Sequence, residues 1–182
     1  MTQPTVVVVD YDAEWPRLFD ELRARVWPAV ADVALAIEHV GSTSVVGLAA
    51  KPIIDMTVVV ASPADVPATI ERLAAVGYRH VGDLGIAGRE AFKAPDGLPR
   101  HNLYICAQGT IGIVNQIAVR DYLRAHPEAA AAYAQLKKQL SRRFPNDINS
   151  YVLGKTELLL GVLRAAGLTE AQLAEIEEDN RP

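Results

Sequence analysis

The sequence predicts one α/β (α+β) unit: a mixed β-sheet with covering helices, followed by a helical half. Three observations predict it. Short runs rich in valine, isoleucine and aromatic residues recur at 5–10, 34–40, 53–60, 78–81, 89–94 and 100–107, the pattern of strands. Helical spacing of apolar residues separates several of these runs, and from Asn115 onward it is the main pattern. Half of the 182 residues are hydrophobic, enough for one sizeable core. No linker, internal repeat or low-complexity tract divides the chain, so a single domain over 1–182 is expected, with the sheet portion at about 1–110 and the helical portion at about 111–182.

Each element has a local reason. Valines at 6–9 predict a first strand over 5–10. Asp12 can cap a helix over 13–29, where Pro16 falls in the tolerant first turn. Trp15, Leu18, Phe19, Leu22 and Val26 then share one face. The run 34–40 is a strand that leads into a glycine-serine turn. The run 53–60 is apolar on both faces, which suits an interior strand, and Asp55 is the exception within it. A covering helix over 63–76 ends at Gly77. A short strand over 78–81 precedes the glycine-rich connection 82–88. The segments 89–94 and 100–107 form a hairpin around Pro95-Asp96-Gly97-Leu98-Pro99. Alternation sets Arg89, Ala91 and Lys93 against Glu90 and Phe92, and His101, Leu103 and Ile105 against Asn102, Tyr104 and Cys106. Helices are expected over 115–125, 127–143, 148–166 and 169–178, with Pro127 at a helix start and Asn146 or Asp147 as a cap. The closing Glu-Glu-Asp-Asn-Arg-Pro reads as a solvated end.

Composition narrows the function classes. Eighteen basic against 22 acidic residues give a net charge of −4, which argues against a general nucleic-acid binder. A local basic pocket is still compatible with that balance. One cysteine, Cys106, makes neither an internal disulfide nor a cysteine-rich zinc site. The first residues, Met-Thr-Gln-Pro, carry no basic region before an apolar core, and no apolar run has bilayer length. A soluble cytoplasmic protein without a membrane role is expected.

The chemistry concentrates in Glu38-His39-Val40-Gly41-Ser42-Thr43-Ser44, continuing to Lys51-Pro52-Ile53-Ile54-Asp55. Small residues let backbone N–H groups approach a phosphate. Ser42, Thr43 and Ser44 add hydroxyl donors, Lys51 a cation, and Asp55 a hard oxygen ligand suited to magnesium. The order Gly-x-x-x-x-Gly-Lys-Ser/Thr is absent, so this is no Walker A loop. A carboxylate in so apolar a strand must be paired, hydrogen-bonded or metal-bound, and a buried pair with Lys51 or an arginine is the structural alternative. His39 can serve phosphate or merely cap a strand end. No His-x-x-x-His pattern or Gly-x-Ser-x-Gly elbow supports a histidine metal site or a hydrolase triad.

These residues carry a resemblance. HVGSTSVVGLAAKPIID is similar to the signature of the GrpB-like family, within the polymerase-β-like nucleotidyltransferase superfamily. GIAGREAFK, HNLYIC, and VRDYLRAHPEAAAAYAQLKKQL followed by Tyr151 and Lys155 resemble the same family, so the likeness spans about 10–163. Val46 stands where the family's turn usually has proline, and Ala87 departs similarly in the second segment.

The resemblance implies a nucleotidyltransferase-like fold and a nucleotide or other phosphorylated small molecule as partner. It implies Gly41, Ser42 and Ser44 as phosphate cradle, and Asp55 as magnesium ligand and catalytic carboxylate. Lys51, Arg89, Arg120 and Lys155 then neutralise charge. In the superfamily two carboxylates flank one apolar residue about a dozen positions after Gly-Ser. Asp55 lies 13 positions after Ser42, but Thr57 holds the second place. Glu38, Glu90 or Asp121 are the candidates for a second acidic ligand. Two functions follow: transfer of a nucleoside monophosphate to a small acceptor, or a non-catalytic accessory module, associated with coenzyme A metabolism in some relatives, that has lost the metal pair.

Overall fold

The computed structural model describes residues 5–179. The expectations for residues 1–4, and for the last three residues of the solvated end, lie outside these. Five strands form one mixed sheet: β1 (Ala34–Val40), β2 (Ile54–Val60), β3 (Arg79–Gly82), β4 (Arg89–Lys93) and β5 (His101–Ala107). Their order is β1-β2-β5-β4-β3. Only β2 and β5 pair in parallel, so the apolar run around Asp55 does occupy an interior strand. The described residues also form six α-helices: α1 (Trp15–Val30), α2 (Val66–Ala75), α3 (Ile111–Ala125), α4 (Pro127–Arg143), α5 (Ile148–Ala165) and α6 (Glu170–Asp179).

Strand alternation divides the sheet into two unlike faces. Ile54, Met56, Val58 and Val60 of β2 join Leu103 and Ile105 of β5 and Phe92 of β4 against α1 and α2, in the largest apolar cluster. Asp55, Thr57 and Val59 lie on the other face with Asn102, Tyr104 and Cys106. There α3 packs Ile113 and Ile117 on Val59 and Cys106. α4 and α5 lie over the end of the sheet that bears Asp55. The alternation expected for β4 and β5 holds, and the face carrying Arg89 and Asn102 is the one under the helical half.

Three elements differ from the sequence expectation. Residues 5–10 form no strand. They run as an extended segment joined to the loop residue Ala50 by one antiparallel bridge from Val9, and to Pro145 through the Val6 N–H. Val6 and Val8 still bury surface there, against α4 and α5 rather than in the sheet, while Val7 and Val9 are exposed. The helix expected over 63–76 begins as a 3₁₀ turn, Pro63–Asp65, because Ser62 and Asp65 cap each other reciprocally before α2 proper. α3 starts at Ile111 rather than 115, since Gly109 at φ +81° reverses the chain and Thr110 precedes the helix. Asp147 caps α5 through the Ser150 N–H. Among the described residues no helix is long and apolar enough to cross a membrane.

Candidate functional site

Gly41 ends β1 at φ +69°, a conformation that side chains resist. A Cβ built there would stand 2.3 Å from Asp55 Oδ2, so glycine alone lets the turn lie on the carboxylate. The next residues, Ser42–Ser44, make one 3₁₀ turn. The Ser44 N–H and hydroxyl both donate to the Gly41 carbonyl, at 3.2 and 2.6 Å. Asp55 and Asn102 sit opposite each other in the parallel pair β2–β5. Asn102 Nδ2 donates to Asp55 Oδ1 at 2.7 Å. Turn, carboxylate and carboxamide therefore meet at one end of the two interior strands.

The helical half closes this corner with cations. Tyr133 and Lys137 are one turn apart on α4, and Tyr151 and Lys155 one turn apart on α5. Together with Lys51 and Asp55 they line a cavity of about 220 Å³ beside Gly41 and Ser42. Lys137 Nζ lies 4.3 Å from the Tyr133 ring centroid, Lys155 Nζ 4.7 Å from that of Tyr151, and Lys51 Nζ 5.8 Å from the latter. Such cation–π contacts hold the three ammonium groups without consuming an anion. Lys137 is 1% exposed, and its Nζ has no hydrogen-bond partner.

Burial dominates the titration of these groups. It lowers Lys137 to about 7, helped by the nearby Lys155 charge. It lowers Lys155 to about 8, with Lys51 adding repulsion and Asp55 opposing it. Lys51 is also pushed down by burial. Asp55 is pushed up by burial, against the Asn102 hydrogen bond and the charges of Lys51, Lys155 and Arg89. Each ion is thus poorly compensated by its surroundings, and an added anion would relieve the lysines.

The expected site residues separate into two sets. Gly41, Ser42, Lys51, Asp55 and Lys155 all line the cavity. Ser44 turns back onto its own loop and borders a separate groove with His39 and Arg124. Arg89 stacks on Tyr104, with its guanidinium carbon 4.7 Å from the ring centroid, and donates to the Asp83 carbonyl. Arg120 is bound to Glu38 at 2.6 Å, to Asp121 at 2.7 Å and to the His39 carbonyl at 3.2 Å. It ties α3 to β1 behind the turn, where Arg124 similarly grips the Ser44 carbonyl.

The acidic companions considered for Asp55 are engaged elsewhere. Glu38 and Asp121 hold Arg120, and Glu90 pairs with His80. Thr57, in the second carboxylate's place, donates to Gln116 Oε1 at 2.7 Å. Among the described residues no three His, Cys, Asp or Glu side chains gather as a metal set. One carboxylate beside three lysines does not fit a two-ion clamp.

His39 stacks on Phe19 and lies 3.0 Å from the Thr43 hydroxyl. Burial lowers it to about 4, so it is neutral near pH 7. His101 faces the opposite side of the sheet, accepting from Tyr78 and donating to the Pro99 carbonyl.

Tyr133 and Asn102 were not singled out from the sequence, and Lys137 stood out only as part of the Tyr-x-x-Leu-Lys run that resembles the family pattern, without a place in the expected site. A signal for Lys137 existed: it sits at helical spacing with Tyr133 and Leu140, both buried on α4, where a lysine requires a reason. Asn102 had none, because the pairing that sets it beside Asp55 joins residues 47 positions apart.

Three comparisons bear on this geometry. A family model described as GrpB protein matches residues 5–165. The UPF0157 protein YqkA of Bacillus subtilis (strain 168) is 41% identical over 152 residues, covering 84% of this chain and 44% of that protein; the chain spans under half the length of that relative. A dephospho-CoA kinase of Mycolicibacterium paratuberculosis is 29% identical over 175 residues, covering 82% of this chain and 43% of that one. Among solved structures, the conserved protein GrpB from Enterococcus faecalis matches with a TM-score of 0.78 at 32% identity, over 88% of this chain and 96% of that one. A cytoplasmic RNA terminal U-transferase matches with a TM-score of 0.53 at 19% identity, over 80% of this chain and 48% of the other. That last likeness concerns the fold alone.

Two predictions follow from the pocket's geometry. Gly41→Ala should lower the thermal midpoint and unseat Asp55, read as loss of the Asn102–Asp55 amide signature by NMR. Lys137→Met should raise the midpoint, by about 2–4 °C for each kcal/mol gained, because it removes a buried amine that has no partner. That gain should be constant below about pH 7 and shrink above it. Above that point the folded lysine is already neutral and the unfolded one still charged, so the difference falls by about 1.4 kcal/mol per pH unit. Denaturant melts of both proteins from pH 6 to 9 check the sign.

Proposed function

Because this chain belongs to the GrpB family and has a nucleotidyltransferase-like fold, we propose that its lysine-lined pocket binds the phosphate groups of a nucleotide or another phosphorylated small molecule. The observation that carries this reading is Lys137: a buried ammonium with no hydrogen-bond partner, in a cavity that already holds Lys51 and Lys155. Desolvated cations attract an entering anion far more strongly than exposed ones do. Gly41 and Ser42 supply the small turn against which phosphate oxygens would rest. The acidic whole, at −4, suits a small ligand rather than a nucleic acid, and a cytoplasmic setting goes with such a ligand.

The geometry supports a binding or accessory module more than a two-metal transferase. Thr57 and Asn102 place neutral groups beside Asp55, and both are engaged in hydrogen bonds. Magnesium enters this reading only as a companion of the ligand. Asp55 would hold a single ion, with phosphate oxygens completing its shell, and that ion would supply charge neutralisation. Nucleotidyl transfer is the second reading, favoured by the Gly41 backbone lying directly on the Asp55 carboxylate. An accessory role beside coenzyme A chemistry draws support from the match to a dephospho-CoA kinase.

Calorimetric titration with ATP and other nucleotides, with magnesium and with EDTA, separates the readings. Binding that changes less than about threefold on chelation is expected, with Lys155→Ala weakening it at least tenfold, which is about 1.4 kcal/mol. Asp55→Asn should tighten binding, because it deletes the one negative charge among the lysines. Loss of binding in Asp55→Asn, together with magnesium dependence, would instead favour the transferase.

A further inference from the structure

Resting on the phosphate-binding reading above, we infer that the pocket selects the end of a phosphate chain. It takes the dianionic terminal phosphoryl group of a monoester, or pyrophosphate, and discriminates against phosphodiesters.

Size is the first argument. At about 220 Å³, the cavity falls below the roughly 300–1,000 Å³ of pockets that enclose drug-sized ligands. It accommodates a phosphoryl or pyrophosphoryl head and leaves the organic part outside. The walls give the same answer. Two aromatic rings line the cavity, yet Tyr133 carries the Lys137 ammonium and Tyr151 carries those of Lys51 and Lys155. Rings already paired with cations offer no ready platform for stacking a nucleobase.

Charge is the second argument. With all three lysines protonated, one carboxylate leaves two positive charges uncompensated inside the pocket. A phosphomonoester carries about −1.5 to −2 near neutral pH, whereas a diester carries one charge and brings two organic arms. Only the former neutralises the site. It also supplies several free oxygens, so Lys137 Nζ gains the acceptor it lacks and further oxygens remain for Lys51 and Lys155. The groups facing Lys137 across the cavity are Lys51, Lys155, Asp55, Tyr133 and Tyr151, and of these Asp55 is the sole carboxylate. An entering dianion therefore meets one repulsive charge and three attractive ones.

Titration of the full chain at pH 7 with inorganic phosphate, pyrophosphate, AMP, ATP, 3′,5′-cyclic AMP and adenosine tests the selectivity. AMP, ATP and pyrophosphate should bind at least tenfold more tightly than cyclic AMP, and adenosine should not bind measurably. Lys137→Met, which keeps the volume, should remove most of the AMP-over-cyclic-AMP preference; Lys155→Gln should reduce it independently. Equal affinity for AMP and cyclic AMP would overturn the selectivity while the phosphate-binding reading stood. If none of the phosphate compounds bound, that reading would fall as well.

Discussion

The contact between the Gly41 backbone and the Asp55 carboxylate constrains the rest of this corner. A turn that lies within a Cβ's reach of a strand residue fixes the direction in which its next residues can run. The 3₁₀ turn Ser42–Ser44 follows, held from behind by Arg124 on the Ser44 carbonyl and by Arg120 on Glu38 and the His39 carbonyl. The arginines thereby join α3 to the end of β1. They shape the site without lining it, and their long forked side chains suit them for bridging a helix to backbone carbonyls.

The same corner concentrates electrostatic strain. Three lysines and one aspartate share one small cavity, and each is shifted by burial toward its neutral form. A ligand-free fold gains little from such an arrangement, since a buried amine without an acceptor is a net loss. Tyr133 and Tyr151 reduce that loss by presenting their ring faces to the ammonium groups. The low local polarity that makes unpaired lysines unfavourable also makes their attraction for an anion strong. In the proposed reading, stability and binding are opposed at Lys137, the usual relation at sites preorganised for a ligand.

Much of the fold was legible because it rests on short-range patterns. The bounds of β1 and α4 follow from hydrophobic spacing, proline and glycine alone. The first valine run misled because a strand needs a neighbour. Residues 5–10 have the composition of one, but their partners are Ala50 and Pro145 in loops. The candidate site was legible where its residues are close in sequence: Gly41, Ser42, Lys51 and Asp55 fall between positions 41 and 55, and Lys155 came with the family resemblance. Arg89 and Arg120 were expected beside Lys51 and Lys155 but lie outside the cavity, because a long side chain reaches in any of several directions. Glu38 and Asp121 decide Arg120, and the Tyr104 ring decides Arg89. Asn102 was hidden by the parallel pairing of β2 with β5, a relation that no local pattern encodes.

Those distant pairings bear on how charge is handled at this site. On the sheet, the positions around Asp55 are Thr57 and Asn102, neutral side chains whose hydrogen bonds are already made. On the facing helices, one turn of α4 and one of α5 each contribute a tyrosine with a lysine behind it. Positive charge is therefore built into the helical wall rather than recruited by acidic groups on the strands. A carboxylate pair binds phosphate only through ions that both must share; ammonium groups do so directly and remain when metal is withdrawn. In that arrangement Asp55 has a different part to play. Its charge partly offsets the burial of Lys51 and Lys155, and it is also the one repulsive group among them, so its net effect on an entering anion is set by the balance of three cations against one carboxylate.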